Sequence, residues 1–140
     1  MASLFYAGVV VGFSFIATPA KFFTPGLEMS QLLLVGRTSF GVFAWAEAAL
    51  ALGVCLLAFQ EGAGRVRAGV VGGLVAAQYL VLRPILDARV SAIVQGASPE
   101  PSNLHHVYGV LEAAKLVTLL WLARSGARGE RFEGRPPRAA

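Results

Sequence analysis

Four apolar stretches, separated by short polar or turn-forming segments, dominate the pattern along this chain. They lie at about residues 2–20, 40–59, 68–86 and 104–123, and each is near the twenty residues that cross roughly 30 Å of hydrocarbon. Helix is the expected form, because the backbone polar groups of a segment inside lipid must be paired within that segment. The pattern therefore predicts an all-α, integral membrane bundle of four transmembrane helices.

The segments between the spans predict how the spans connect. Residues 24–39 open with a Pro-Gly turn and continue with a leucine-rich run, which indicates either a short interfacial helix or an early start of span two. The connecting segment 60–67 is short and contains glycine, so spans two and three can be antiparallel neighbours. Residues 124–140 have the Gly, Arg and Pro content of a disordered, basic tail.

A short interfacial helix is predicted between spans three and four. Pro84 suits the first turn of a helix. Apolar positions from Leu86 to Val94 then recur on one helical face before Gly96 ends the pattern. The expected domain organisation is a four-helix transmembrane domain over residues 1–123, with this interfacial helix, followed by the tail.

Composition supports a membrane protein and argues against several chemistries. Apolar residues make up 56% of the 140 residues and charged residues 14%, whereas a soluble domain carries about 25% charged residues. The single cysteine, Cys55, excludes an internal disulfide and a CxxC redox pair. The sequence contains no nucleophile elbow, P-loop or HExxH motif. We therefore expect no enzymatic activity and no cofactor.

The distribution of basic residues predicts the orientation in the cell (inner) membrane. Residues 60–67 and the tail share one side and carry seven lysines and arginines, against four on the other side, namely Lys21, Arg37, Arg83 and Arg89. This excess places both termini in the cytoplasm. No basic residue precedes the first apolar stretch, so we expect it to remain as a span rather than to be cleaved as a signal peptide. The tail lacks an aromatic stacking pattern, and no nucleic-acid partner is expected.

Ionisable and amide side chains inside the spans are the candidate functional residues. Glu47, Gln78, Glu112 and Lys115 come from three spans and lie roughly 10 to 16 Å below the outer face at the helical rise. Tyr108 belongs to the same polar stripe of span four as Glu112 and Lys115. Such residues line a pathway or binding site, or they form an ion-paired network that fixes helix register. The sequence leaves both interpretations open.

A second polar set is expected at the outer face, where the spans end. Its members are Lys21, Arg83, Asp87, His105 and His106. Arg83 and Asp87 are spaced for an ion pair that flanks Pro84. Adjacent histidines on a helix point about 100° apart, so the pair does not converge on one metal ion. No metal site is predicted.

Three stretches of the sequence resemble a known family. They are YAGVVVGFSFIATPAKFF (6–23), LDARVSAIVQG (86–96) and SNLHHVYGVLEAAKL (102–116). They look like the corresponding parts of the DUF4149 family, also called transmembrane protein 205-like, and the likeness covers roughly residues 6–122. Its more specific positions are Pro19, Asp87, Arg89, His105, Tyr108, Glu112 and Lys115. The resemblance implies a four-helix integral membrane fold and a membrane location, and it implies no particular reaction.

Two functional hypotheses follow from the sequence. In the first, the polar layer lines a water-accessible cavity that opens to the outer face and binds or passes a small ion or polar solute. In the second, the chain is an accessory subunit that docks on a larger energy-transducing or pigment-binding membrane complex. The glycine pairs Gly8/Gly12 and Gly69/Gly73 have the spacing that permits close helix contact. The expected partners are the lipid bilayer and either further copies of this chain or such a complex.

Overall fold

The computed structural model describes residues 1–61 and 64–133, and these residues form helices and no strand. The four long helices are α1 (Ala2–Phe23), α2 (Met29–Glu61), α3 (Arg65–Val94) and α4 (Leu104–Glu133). Each contains a stretch that is long and apolar enough to cross a membrane. The prediction of an all-α fold with four such helices is therefore confirmed.

The helices form an up-and-down bundle in which consecutive helices are neighbours. Contacts join α1 to α2, α2 to α3 and α3 to α4, and α4 closes the bundle against α1. The connections 24–28 and 95–103 lie at one end, which we call the cavity end, and Met1 lies at the opposite, terminal end. Gly26 and Gly96 have φ of 82° and 88° in the two cavity-end connections, a left-handed conformation that glycine adopts without a steric cost.

Helix boundaries agree with the sequence-based predictions in one place and differ from them in two. Of the two alternatives for residues 24–39, the structure has the early start of α2, which begins at Met29. The segment 84–94 is helical, but it continues α3 without a break to Val94, so a separate short helix was the wrong prediction. Helix α4 runs to Glu133, although composition predicted a disordered tail from residue 124. Extending an existing helix is easier than starting a new one, because each added residue that is fixed gains one hydrogen bond. The rest of the predicted tail, residues 134–140, lies outside the described residues.

Two helices contain a wider, π-helical segment that ends two residues before a proline. In α1 the segment is Val11–Ala17 and the proline is Pro19. In α3 the segment is Gln78–Leu82 and the proline is Pro84. Proline lacks an N–H and its ring crowds the carbonyl four residues earlier, so the preceding turn widens rather than breaks. These segments explain how α3 passes Pro84 as one helix.

The apolar core fills the terminal half of the bundle, and most of its members are alanine and valine. Its buried members are Tyr6, Ala7, Val10, Ala51, Val54, Ala58, Ala68, Val71, Val75, Leu119 and Leu122. Alanine and valine allow the helices to approach closely. The glycine pairs do not serve this purpose, because a Cβ at Gly8, Gly12, Gly69 or Gly73 would meet none of the described residues within 4 Å. The spacing of these glycines therefore produces no close helix contact within the described bundle.

The outer surface of the bundle is apolar along most of its length. Large side chains are exposed in the middle of the helices, with Trp45 at 82% and Leu80 at 77% of their full exposure. A soluble protein does not expose contiguous apolar surface of this extent. The exterior therefore has the chemistry of a lipid-facing surface, while the polar groups described next lie inside.

Candidate functional site

Lys115 is the centre of a buried polar cluster, which we define as Glu47, Gln78, Glu112 and Lys115. All four residues are at most 1% exposed. The Lys115 ammonium donates to Oε1 of Glu47, to Oε1 of Gln78 at 2.8 Å and to Oε1 of Glu112 at 2.8 Å. An ammonium has three protons to donate, so its hydrogen-bonding capacity is filled by three helices.

Two tyrosines complete the hydrogen bonding of Glu47. The Tyr6 hydroxyl donates to Oε1 of Glu47 at 3.0 Å, and the Tyr79 hydroxyl donates to Oε2 at 2.7 Å. Sequence reasoning missed both tyrosines. The available signal was a phenol in an apolar span, since a buried tyrosine hydroxyl usually has a hydrogen-bond partner. Tyr79 also directly follows the candidate residue Gln78 in the sequence.

Glu112 accepts hydrogen bonds from the same two helices, α1 and α3. Its Oε1 accepts from Nε2 of Gln78 at 2.9 Å, and its Oε2 accepts from the Ser14 hydroxyl at 3.1 Å. Ser14 and Gln78 both lie in the π-helical segments that precede Pro19 and Pro84. The two prolines therefore shape the turns that carry these partners toward the Glu112 carboxylate.

The cluster brings together charges that would be unfavourable in isolation. It contains two carboxylates and one ammonium, an excess of one negative charge when all three are ionised. Within the part of the chain that the structure describes, no buried side-chain nitrogen or oxygen lacks a hydrogen bond. This completeness offsets the cost of burying polar groups, which is large for an unpaired charge. Lys115 lies eleven residues into α4, about 16 Å from its start, so the cluster is near the middle of the helix bundle.

A cavity of about 190 Å³ lies between the cluster and the cavity end. Glu112, Ser14 and Tyr79 reach it from the cluster and its hydrogen-bond partners. Its walls include the apolar side chains Phe15, Phe22, Leu33, Phe40, Leu86 and Val90. Glu112 therefore belongs to both features: one carboxylate is hydrogen-bonded inside the cluster and also lines the cavity.

Charged side chains from three helices form the outer wall of this cavity. Asp87 on α3 lies 3.7 Å from Nε of Arg83 and 3.7 Å from Nε of Arg37 on α2. Arg37 also donates to the Ser91 hydroxyl at 2.9 Å. Lys21 on α1 lines the same cavity, and its ammonium lies 5.1 Å from the centre of the Phe22 ring. Arg37 was recognised in the sequence only as an orientation signal.

The remaining predicted residues lie at the edge of the cavity or outside it. Tyr108 lines the cavity one turn before Glu112 and meets Phe40 edge to face, with ring centres 5.4 Å apart. His105 also lines the cavity, whereas His106 is exposed and lies outside its lining. Among the described residues, no group of three or more His, Cys, Asp or Glu side chains is arranged to hold a metal ion.

Comparison with family models, with curated proteins and with solved structures found no match to this chain. The resemblance to the DUF4149 family therefore stays a prediction.

Proposed function

We propose that this protein is a multi-pass membrane protein that binds or passes a small ion or polar solute through the cavity and the polar cluster. In this proposal the chain lies in the cell membrane, the cavity end faces outward and both termini face the cytoplasm. The apolar exterior and the four long apolar helices support the membrane location. The excess of basic residues near the terminal end supports the orientation.

The observation that carries the proposal is that Glu112 lines the cavity and is also hydrogen-bonded inside the polar cluster. A network that only fixes helix register needs paired charges, and pairing does not require that a cavity reach them. Here the cavity extends from the polar wall of Lys21, Arg37 and Asp87 down to the Glu112 carboxylate. Ionisable residues inside a membrane domain cost about 2.5–3.5 kcal/mol each on insertion scales and commonly mark ion or substrate pathways.

Native mass spectrometry of the protein, gently extracted from its host membranes, tests this proposal. The wild type should carry a bound ion or solute, and Glu112→Gln should change how much of it is bound. A bound cation should be lost, whereas a bound anion should be held more fully because a like charge is removed from the cavity lining. Glutamine keeps an acceptor for the Lys115 ammonium, so the variant should remain folded. Glu28→Gln is the matched control, because Glu28 lies in the connection before α2 and outside the cavity lining. The same amount of the same adduct on the wild type and on Glu112→Gln would overturn the proposal.

Thiol labelling tests whether water reaches the cavity. In a Cys55→Ala background, Thr18→Cys should react with a membrane-impermeant methanethiosulfonate added at the outer face, since Thr18 lines the cavity. Val71→Cys should stay unreactive, because Val71 is fully buried in the core. Equal protection of the two thiols in intact cells would contradict an outward-open cavity.

The accessory-subunit function remains a second candidate because of one observation. Gly8 and Gly12 on α1, and Gly69 and Gly73 on α3, are exposed and have open space beside them. Faces of this kind permit close approach of a helix from another chain. The same mass spectrum separates the candidates, since co-release with several unrelated subunits would favour the accessory function.

A further inference from the structure

The cationic groups of the cavity wall outnumber the carboxylates that pair with them. Arg37 and Arg83 share the single carboxylate of Asp87. Lys21 has no carboxylate within ion-pair distance among the described residues. Glu112 does not fill this need, because its two oxygens accept from Lys115, Gln78 and Ser14. The wall therefore has positive charge that the described residues leave without a counter-ion.

Two glycines of α2 make room for these cations. A Cβ at Gly36 would collide with the Lys21 ammonium, and Gly36 is itself buried. A Cβ at Gly41 would lie 3.2 Å from a terminal nitrogen of Arg83. Lysine and arginine near a helix end usually extend toward the membrane surface. Here the absence of side chains at Gly36 and Gly41 allows both cations to lie against α2, beside the cavity.

The rest of the lining is suited to an apolar body rather than to a fully hydrated ion. Phe15, Phe22, Leu86 and Val90 face the space next to the cations. The cavity volume of about 190 Å³ exceeds that of an engineered cavity of about 150 Å³ that binds benzene. Its contents can therefore be a small organic molecule with one charged end.

We propose that this cavity binds a small amphipathic anion, a carboxylate or phosphate group joined to an apolar body. Lys21, Arg37 and Arg83 hold the anionic group, and the aromatic and aliphatic wall covers the body. The inference rests on the proposed solute-binding function and specifies its ligand class. Arginine suits the planar geometry of a carboxylate or phosphate, while lysine supplies a point charge.

Equilibrium dialysis of radiolabelled benzoate against the detergent-solubilised full chain tests the ligand class. Benzyl alcohol keeps the ring and lacks the charge, inorganic phosphate keeps a charge and lacks the ring, and benzylamine reverses the charge. We expect unlabelled benzoate to compete best. Benzyl alcohol should compete at least about tenfold more weakly than benzoate, because it cannot form the charge-assisted hydrogen bond. Phosphate should also compete weakly, because it lacks apolar contact.

Two pairs of variants locate the binding. Lys21→Met keeps the aliphatic stem and should weaken benzoate binding about tenfold or more. Arg124→Gln changes the net charge equally at the terminal end and should leave binding unchanged. Gly36→Ala should weaken binding by displacing the Lys21 ammonium, whereas Gly53→Ala should not, because its Cβ would meet nothing within 4 Å. Equal effects of Lys21→Met and Arg124→Gln would overturn the site.

The remaining outcomes separate this inference from the proposed function. Binding of benzylamine that depends on Glu112, with no binding of benzoate, would overturn the anion site and leave the proposed function standing. Failure of every probe, together with a native mass spectrum free of adducts, would overturn both. Displacement of benzoate by phosphatidylglycerol, but not by phosphatidylcholine, would support the anion site and identify a lipid headgroup as the anion's source. Displacement by neither lipid would support a free solute.

Discussion

The polar cluster and the cavity wall contain similar residues but differ in how their charges are matched. In the cluster, one ammonium is surrounded by Glu47, Gln78 and Glu112, and its ionisable side chains are at most 2% exposed. In the wall, Asp87 lies 3.7 Å from each of two guanidinium groups, and these side chains are 29% to 42% exposed. The cluster has more carboxylates than cations, whereas the wall has more cations than carboxylates.

In the proposed function, this difference gives the two regions separate roles. A charge whose partners all come from the same chain contributes to the arrangement of the helices, because removing one partner leaves the others buried and unpaired. A charge such as Lys21, which has no carboxylate partner among the described residues, is available to a solute that enters the cavity. Glu112 connects the regions, since it lines the cavity and is hydrogen-bonded inside the cluster.

The largest expected effect is the loss of the ammonium at the centre of the cluster. Lys115→Met leaves the Glu47 and Glu112 carboxylates buried without a cation. We expect the free energy of unfolding to fall by about 3–5 kcal/mol, the cost of breaking a buried ion pair from one side. Denaturant unfolding in mild detergent, followed by circular dichroism, measures it.

A triple variant provides the control for this prediction. Combining Lys115→Met with Glu47→Gln and Glu112→Gln removes all three charges, and the stability should recover most of the loss. A single Lys115→Met variant as stable as the wild type would show that the cluster does not hold the helices together. The comparison between a structural cluster and a binding wall would then be wrong.

Removing either tyrosine hydroxyl that donates to Glu47 should lower the free energy of unfolding less than Lys115→Met does. Tyr79→Phe removes the donor to Oε2 of Glu47, whereas after Tyr6→Phe the other oxygen, Oε1, keeps the Lys115 ammonium. We expect Tyr79→Phe to cost about 1–3 kcal/mol, because it leaves a buried acceptor unsatisfied. Tyr6→Phe should cost about 0.5–1.5 kcal/mol, the net value of one hydrogen bond. Chemical unfolding of both variants checks the order, and the reverse order would contradict the assigned partners.

Much of the fold could be predicted from hydropathy, because the length of an apolar helix is a property of one segment. The four helices and the antiparallel pairing of α2 and α3 follow from segments that are about twenty residues long and a short glycine-containing connection. The helix ends were less predictable. Pro84 suggested a new helix, but the π-helical segment Gln78–Leu82 absorbs the missing hydrogen bond and α3 continues.

The charged residues of the candidate site could be predicted from the sequence, but the residues that they contact could not. Glu47, Glu112 and Lys115 stand out because ionisable residues are rare in apolar spans. Tyr6 and Gly36 could not be selected in this way, since tyrosine and glycine are ordinary residues in such helices. Their roles depend on helix rotation, which sets Tyr6 against Glu47 and Gly36 against Lys21.

In the cavity wall, loss of a charge should have little effect on stability. Asp87→Asn removes the carboxylate between Arg37 and Arg83, whose side chains are 42% and 31% exposed. Exposed ion pairs contribute about 0–1 kcal/mol, so the free energy of unfolding should change by no more than that. The same denaturant titration measures it. A loss as large as that of Lys115→Met would show that the wall is also part of the structural network.

A small effect of the opposite sign separates stability from binding at a single position. Gly36→Ala should raise the free energy of unfolding by about 0.5–1 kcal/mol, because alanine favours helix over glycine. Among the described residues, the new Cβ has a close contact only with the flexible end of Lys21, which can move aside. Gly53→Ala should give the same gain, and its Cβ meets nothing within 4 Å. Thermal unfolding compares the two. A destabilised Gly36→Ala beside a stabilised Gly53→Ala would mean that the Lys21 ammonium is fixed as firmly as Lys115, and the distinction between wall and cluster would fail.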